Sequence, residues 1–335
     1  MTAAEPKAEL HVHVEGTASP ALALATARKH GIDLGDLIGA DRYRWDGFSG
    51  FLQAYDRVAA LFRDEDDYRR LAFEYLASIA ADGAIYAEFF VSPDHAASAG
   101  LSPEAYLAGL AEGIRQAEAE HGIVARLVVV GVRHLGPEAV EATARFAAGL
   151  AHPLVTGFGL AGDERRHRPR DFATAFDVAR AAGLRLTAHA GEFAGPEAIA
   201  ETLDQLRVSR IGHGVRAIED EALVARLASE GVTLEVCPGS NLALGVFGSA
   251  EAHPLRALHD AGVRVTVSSD DPPFFGTSLD AEYAFARDAG FTAPERLALT
   301  RNAVEAAFVD EETRGTLLQR LVMDAIRLGA PKPSR

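Results

Sequence analysis

VARLVVVGVRHLGPEAVEATARFAAGLAHPLVTGFGLA, residues 124–161, reads as one complete structural unit. VARLVVVGV (124–132) and LVTGFGLA (154–161) are apolar and rich in β-branched residues, the composition of strands covered on both faces. Between them, 137–150 has helical periodicity and opens on Gly136-Pro137, with proline suited to the first helical turn. Strand, helix and strand at these lengths predict a right-handed crossover between parallel neighbours.

The alternation continues in both directions. AELHVHV (8–14) and AIYAEFFV (84–91) precede the unit, and LRLTAH (184–189), RIGH (210–213), VTLEVC (232–237) and VRVTVSS (263–269) follow it, which makes eight runs. Helical periodicity also marks 102–120, 170–182, 196–206, 219–230 and 253–261, and several of these segments begin near Ser, Pro or Asp and end at Gly. Eight alternations predict an α/β fold closed into a (β/α)8 barrel, with 1–335 as a single domain. Residues 16–83 read as about three extra helices, and 278–328 as closing helices. Phe48, Phe51, Tyr55 and Phe62 share one helical face, as an ordinary core stripe or as a lid over the barrel mouth.

With 48% hydrophobic and 24% charged residues the chain can bury a large core. It has no uninterrupted apolar run of about 18 residues, and MTAAEPKAEL lacks a basic flank followed by an apolar stretch. No membrane association and a cytoplasmic location are expected. The net charge of −15 opposes binding to a phosphate backbone, so nucleic acid is not an expected partner. A local exception, ERRHRPR (164–170), reads as a solvated loop in preference to a phosphate-recognition patch. The single cysteine, Cys237, excludes an internal disulfide and a cysteine-cluster zinc site. A homo-oligomer is compatible with the sequence, which does not specify one.

Four polar clusters sit where strand-like runs end: HVHVEG (11–16), HAGE (189–192), GHG (212–214) and SSDDPP (268–273). His11 and His13, two apart on a strand, point to the same side of the sheet. With His189 and Asp270 they could complete a three-histidine, one-aspartate zinc site at the C-terminal mouth, where barrel enzymes place their chemistry. Glu192, three residues after His189, is either a helix-start carboxylate or a proton donor held above the same mouth. His213, flanked by Gly212 and Gly214, is a general base or a group that orients the attacking water; taken alone it is a buried, hydrogen-bonded histidine. Asp271 is free to face a substrate. The only lysines are Lys7, Lys29 and Lys332, none at the end of the fourth strand, which excludes a binuclear centre bridged by a carbamylated lysine. One metal ion per chain is expected. His30, His95, His121, His134, His152, His167, His253 and His259 are assigned no chemistry.

PKAELHVHVEG, GFGLAGDE, TAHAGE, RIGHGV, LEVCPGSN and SSDDPP occur in this order along essentially the whole chain, which thereby resembles the adenosine deaminase family of metal-dependent amidohydrolases. The resemblance implies one zinc ion held by His11, His13, His189 and Asp270. It further implies that Glu192 protonates purine N1, that His213 assists the water, that Asp271 accepts from the N7 side, and that the Gly162 backbone meets N3. Water would replace the 6-amino group, giving a 6-oxopurine and ammonia.

Two segments bear on the substrate. Glu15 stands where adenosine-specific members often carry an aspartate that meets the ribose, and its EGT looks like the related adenine deaminases. LAGDE and Gly212 look like the adenosine type, while CPGSN and DDPPFFGTS are similar to members acting on modified nucleosides such as aminodeoxyfutalosine. The reading is therefore adenosine to inosine, with Glu15 reaching a ribose hydroxyl. The alternatives are deamination of adenine, AMP or a modified adenosine, and, in another class, a purine-binding protein without catalysis.

Overall fold

The computed structural model describes residues 5–327 except 40 and 41; Lys332 and the extreme ends of the 1–335 span lie outside the described residues. Eight parallel strands follow one another in sequence order: β1 (Lys7–His13), β2 (Ala84–Val91), β3 (Val124–Val132), β4 (Val155–Ala161), β5 (Arg185–Ala190), β6 (Arg210–His213), β7 (Thr233–Val236) and β8 (Arg264–Val267). Each expected strand is present within about two residues, the usual uncertainty of an element boundary. Helices lie outside the strands, so the architecture is the expected (β/α)8 barrel. No helix among the described residues is long and apolar enough to cross a membrane.

The sheet closes at one place. Asp270 N donates to His11 O at 3.1 Å, and His13 N donates to Asp270 O at 3.0 Å, so the backbone of Asp270 is stitched into β1. Asp270 has φ +63°, a left-handed conformation that aspartate tolerates better than most residues. Opposite this seam the β4–β5 register extends only over Gly157–Arg185 and Phe158–Leu186. Beyond it, the carbonyl of Leu160 is taken by a side chain, His189 Nδ1, at 2.9 Å.

The barrel interior is not wholly apolar. Glu88, Arg210 and Glu235 are at most 1% exposed and form a ladder, with Arg210 Nη2 at 2.6 Å from Glu88 and Arg210 Nε at 2.7 Å from Glu235. A buried cation between two carboxylates tolerates its desolvation only because each charge is matched. Phe308, from beyond the last strand, lies 3.5 Å beneath the guanidinium and donates its amide to Glu88.

Between β1 and β2 run α1 (Pro20–His30), α2 (Gly47–Ala59) and α3 (Glu65–Ala81); α4 (Pro93–Ser98) and α5 (Pro103–His121) follow β2. Local chemistry sets their ends: Ser19 accepts from Leu22 N to start α1, Asp64 and Asp67 form a reciprocal cap on α3, and Ser102 accepts from Ala105 N to start α5. The aromatic stripe of α2 does both of the things its spacing allowed. Phe51 and Tyr55 are buried, and together with Phe48 and Leu52 they roof a cavity at the barrel mouth. Phe62 lies past the end of α2 and takes no part in that roof.

Candidate active site

His11, His13, His189 and Asp270 converge at the C-terminal mouth. His13 Nε2 is 3.2 Å from His189 Nε2 and 3.4 Å from Asp270 Oδ1, while His11 Nε2 is 3.6 Å from the same oxygen. Ligands about 2.0–2.2 Å from a common tetrahedral centre lie about 3.3–3.6 Å apart, so these three separations are of the size one zinc-sized ion requires, and His213 falls within the same cluster as His11, His189 and Asp270. The ring tautomers agree. His11 Nδ1 is 2.9 Å from Glu235 Oε2 and His189 Nδ1 is 2.9 Å from Leu160 O, so both Nδ1 atoms carry hydrogen and both Nε2 atoms are left to face the centre, where a metal ion would take the place of any proton. His11 Nε2 is buried with no hydrogen-bond partner. Burial disfavours a charged His11 ring, yet Asp270 and Glu235 outweigh it and raise the ring to about 9. The position calls for positive charge, and the donor set suits a divalent metal.

Glu192 follows β5 and is 7% exposed. Burial, reinforced by the charges of Asp270 and Glu164, raises its carboxyl well above the ordinary range, which favours the protonated form. Its loop is fixed from below by Glu164, whose carboxylate accepts from the amides of Gly191, Glu192, Phe193 and Ala194. Arg133 Nη2 donates to His189 O at 2.8 Å and Arg216 Nη1 to Phe193 O at 2.5 Å, completing the scaffold.

His213 ends β6 at φ +60°. Its Nε2 lies 3.8 Å from Glu192 Oε2 and 3.9 Å from Asp270 Oδ2, so it faces the gap between the expected acid and the expected ligand. Burial, aided by the charge of His11, lowers its ring to about 3. A Cβ at Gly212 would come within 2.8 Å of His11 Cε1, which explains the glycine before His213.

The cavity above these groups gives about 70 Å³ of room to the centres of water molecules. That is several times the ~10–15 Å³ one water requires. Gly162, Glu192, His213 and Asp271 line it beneath the α2 roof, and His95 and His134, given no chemistry from the sequence, form part of its wall. Asp271 Oδ1 is buried without a partner and lies where a Cβ at Gly16 would be 1.7 Å away, so Gly16 makes room for it. Burial and then the charge of Asp270 push Asp271 well up. The shift favours the protonated form of the carboxyl, and the unpartnered oxygen faces a position where a ligand group can meet it.

Glu15, expected to meet the substrate, has three tyrosine partners. Tyr55 donates to Oε2 at 2.9 Å, and Tyr106 and Tyr68 donate to Oε1 at 3.1 and 3.4 Å. Glu15 is 1% exposed, its carboxylate is held by three hydroxyls from three helices, and it lines the cavity beside Asp271. The arginine cluster is also largely committed. Arg168 and Arg170 both pair with Glu201, while Arg165 pairs with Asp163 at 2.8 Å and covers the rings of Phe48 and Phe193.

The family model for adenosine deaminase matches residues 6–324. The chain belongs to the adenosine deaminase family. It is 59% identical over 316 residues to an adenine deaminase of Chelativorans sp. (strain BNC1), covering 94% of this chain and 97% of that one. The crystal structure of an adenine deaminase from Arthrobacter aurescens superposes with a TM-score of 0.89 at 32% identity, covering 96% and 99% of the two chains. An amidohydrolase from Burkholderia ambifaria, solved with bound zinc, superposes at 0.83 with 27% identity over 98% and 93%. The chain is thus a hydrolytic deaminase of this family.

Several supports of this adenosine deaminase family site escape sequence reading. Glu164 lies inside the LAGDE motif quoted for Gly162, so its signal was present in the motif itself. Glu235 and Arg210 are charged residues within strands, and Asn241 ends CPGSN. His253 carried no local signal, yet its Nε2 lies 3.1 Å from Asn241 Oδ1.

Proposed function

We propose that the protein hydrolyses adenine to hypoxanthine and ammonia, using one zinc ion held by His11, His13, His189 and Asp270. The observation that carries the choice of base over nucleoside is the capture of Glu15 by Tyr55, Tyr68 and Tyr106. A sugar hydroxyl would have to reach a carboxylate that is 1% exposed and has three of its roughly four acceptor positions already filled. The relatives named adenine deaminase support the same choice.

The chemistry a divalent ion supplies when bound there is acidification of water, to a pKa of about 7 for zinc. The chain's own groups do the rest. Protonated Glu192 places its hydrogen on N1 while the water oxygen bonds to C6; of the two hydrogens of the water, one passes to the amino group, which leaves as ammonia as the C6–N bond breaks, and the other restores the Glu192 carboxyl. Asp271 donates to N7, the Gly162 amide meets N3, and the roof of Phe48, Phe51, Leu52 and Tyr55 excludes bulk water.

Ammonia release from adenine, adenosine, deoxyadenosine, AMP and aminodeoxyfutalosine by the zinc-loaded protein tests the reading. Adenine should give the highest kcat/KM. A higher value for adenosine would overturn the base assignment, and AMP leading with an advantage that fades in salt would instead assign Arg165 to phosphate.

A further inference from the structure

A chain of hydrogen bonds leads from an unambiguous donor to His213. The backbone amide of Leu255 can only donate, and it lies 3.2 Å from His253 Nδ1. That nitrogen must therefore be bare, and the ring neutral with its hydrogen on Nε2. His253 Nε2 is 3.1 Å from Asn241 Oδ1, an acceptor. The other end of the same amide, Asn241 Nδ2, can only donate, and it lies 3.3 Å from His213 Nδ1. His213 Nδ1 must accept, which leaves the hydrogen of the neutral ring on Nε2.

We propose that Asn241 and His253 form a directional relay that fixes His213 as its Nε2–H tautomer, so that His213 donates a hydrogen bond to the attacking water instead of removing its proton. The proposal rests on the deaminase reading for the role of the water, although the tautomer itself does not.

The surroundings hold the relay in one direction. His253 is packed between Phe247 and Phe285, with ring centroids 5.2 and 5.3 Å away, and burial lowers its ring to about 4, which agrees with a neutral form. Asn241 lies in the short helix Pro238–Ala243, and its carbonyl accepts from Val246 N at 2.9 Å, which anchors its backbone. Asn241 and His253 are both at most 7% exposed, so bulk water does not compete for these bonds. At the other end, His213 Nε2 faces Glu192 and Asp270 across 3.8 and 3.9 Å, a gap wider than a hydrogen bond. A water oxygen between them would accept from His213. A bare nitrogen there would compete with Asp270 for the same water hydrogens.

Asn241 and His253 are positioning residues, and the test reads the tautomer directly. In the zinc-loaded enzyme with ¹⁵N-labelled histidine, the His213 signals, assigned by their loss in His213→Gln, should show a bare Nδ1 and a protonated Nε2. Asn241→Asp replaces the donor with an acceptor and should move the hydrogen to Nδ1. Its kcat on adenine should fall at least about tenfold with KM changed less than about threefold, since a wrong tautomer costs up to ~10⁴ in other hydrolases. His253→Gln keeps an amide donor toward Asn241 and should retain the tautomer, whereas His253→Ala should give a mixture. A hydrogen on Nδ1 in the unaltered enzyme overturns the proposal, and that measurement stands even where a variant fails to fold. An unchanged tautomer in Asn241→Asp overturns the relay. A correct tautomer in a protein inactive on every aminopurine would refute the deaminase reading alone.

Discussion

The carboxylate of Glu164 accepts the backbone amide of Glu192 at 3.1 Å, and takes in the amides of Gly191, Phe193 and Ala194 at 2.5, 2.8 and 2.9 Å. One side chain beyond β4 thereby satisfies four donors of the loop beyond β5, across a stretch where the two strands no longer pair. The same negative charge helps keep the Glu192 carboxyl protonated.

Glu164→Gln should therefore act on geometry and on pH together. An amide offers one acceptor and turns hydrogens toward amides that also donate, leaving buried groups unpaired at about 1–3 kcal/mol. The activity of Glu192 requires its proton and is lost as pH rises through its raised pKa. Removing the charge of Glu164 lowers that pKa, so the alkaline limb of the kcat profile should move to lower pH. A limb that stays in place would show that Glu164 does not influence the proton donor.

Glu192→Gln separates binding from chemistry. The amide keeps shape and a hydrogen-bond donor but has no acidic proton to give. Metal content and adenine binding, read by elemental analysis and calorimetry, should persist while kcat falls at least about 10²-fold. A kcat near that of the unaltered protein would remove Glu192 from the mechanism.

Elemental analysis should find about one divalent ion per chain, as three histidines and one aspartate around one centre require. Glu235→Gln removes the carboxylate behind His11 and should weaken metal affinity by about 10–100-fold. Two tightly held ions, or unchanged affinity in the variant, would contradict this account of the centre.

Glu282 supplies a prediction about stability. It is 1% exposed, accepts from Gly239 N at 2.9 Å and from the Thr277 hydroxyl, and burial raises its carboxyl from 4.5 to about 8. Between these values the folded chain holds more protons than the unfolded chain, so stability falls as pH rises through that window. Urea unfolding should show this loss between pH 5 and about 8 in the unaltered protein and a flatter dependence in Glu282→Gln. Identical slopes would place the pH dependence elsewhere.

The barrel and the identity of its mouth residues were legible because each depends on local signals. A β-branched run, a proline-led helix and a terminal glycine are short-range features, and once the strands are parallel and sequential their C-terminal ends must meet. His11, His13, His189, His213 and Asp270 therefore come together without any knowledge of side-chain packing. Glu15 shows what such reasoning misses. Its three tyrosine partners lie 40, 53 and 91 residues away, on α2, α3 and α5, and no periodicity records which hydroxyl will turn inward. The donor or acceptor state of Asp271 was equally hidden, because it depends on burial beside Asp270.

The stitching of Asp270 into β1 has a consequence for deuterium exchange. The amides of His13 and Asp270 close the barrel seam, while the side chains of the same two residues face the metal position. Their uptake rates make the seam a clock for occupancy: chelation should quicken exchange at these two amides ahead of the β2–β3 ladder, which pairs without interruption from Tyr86 to Val91.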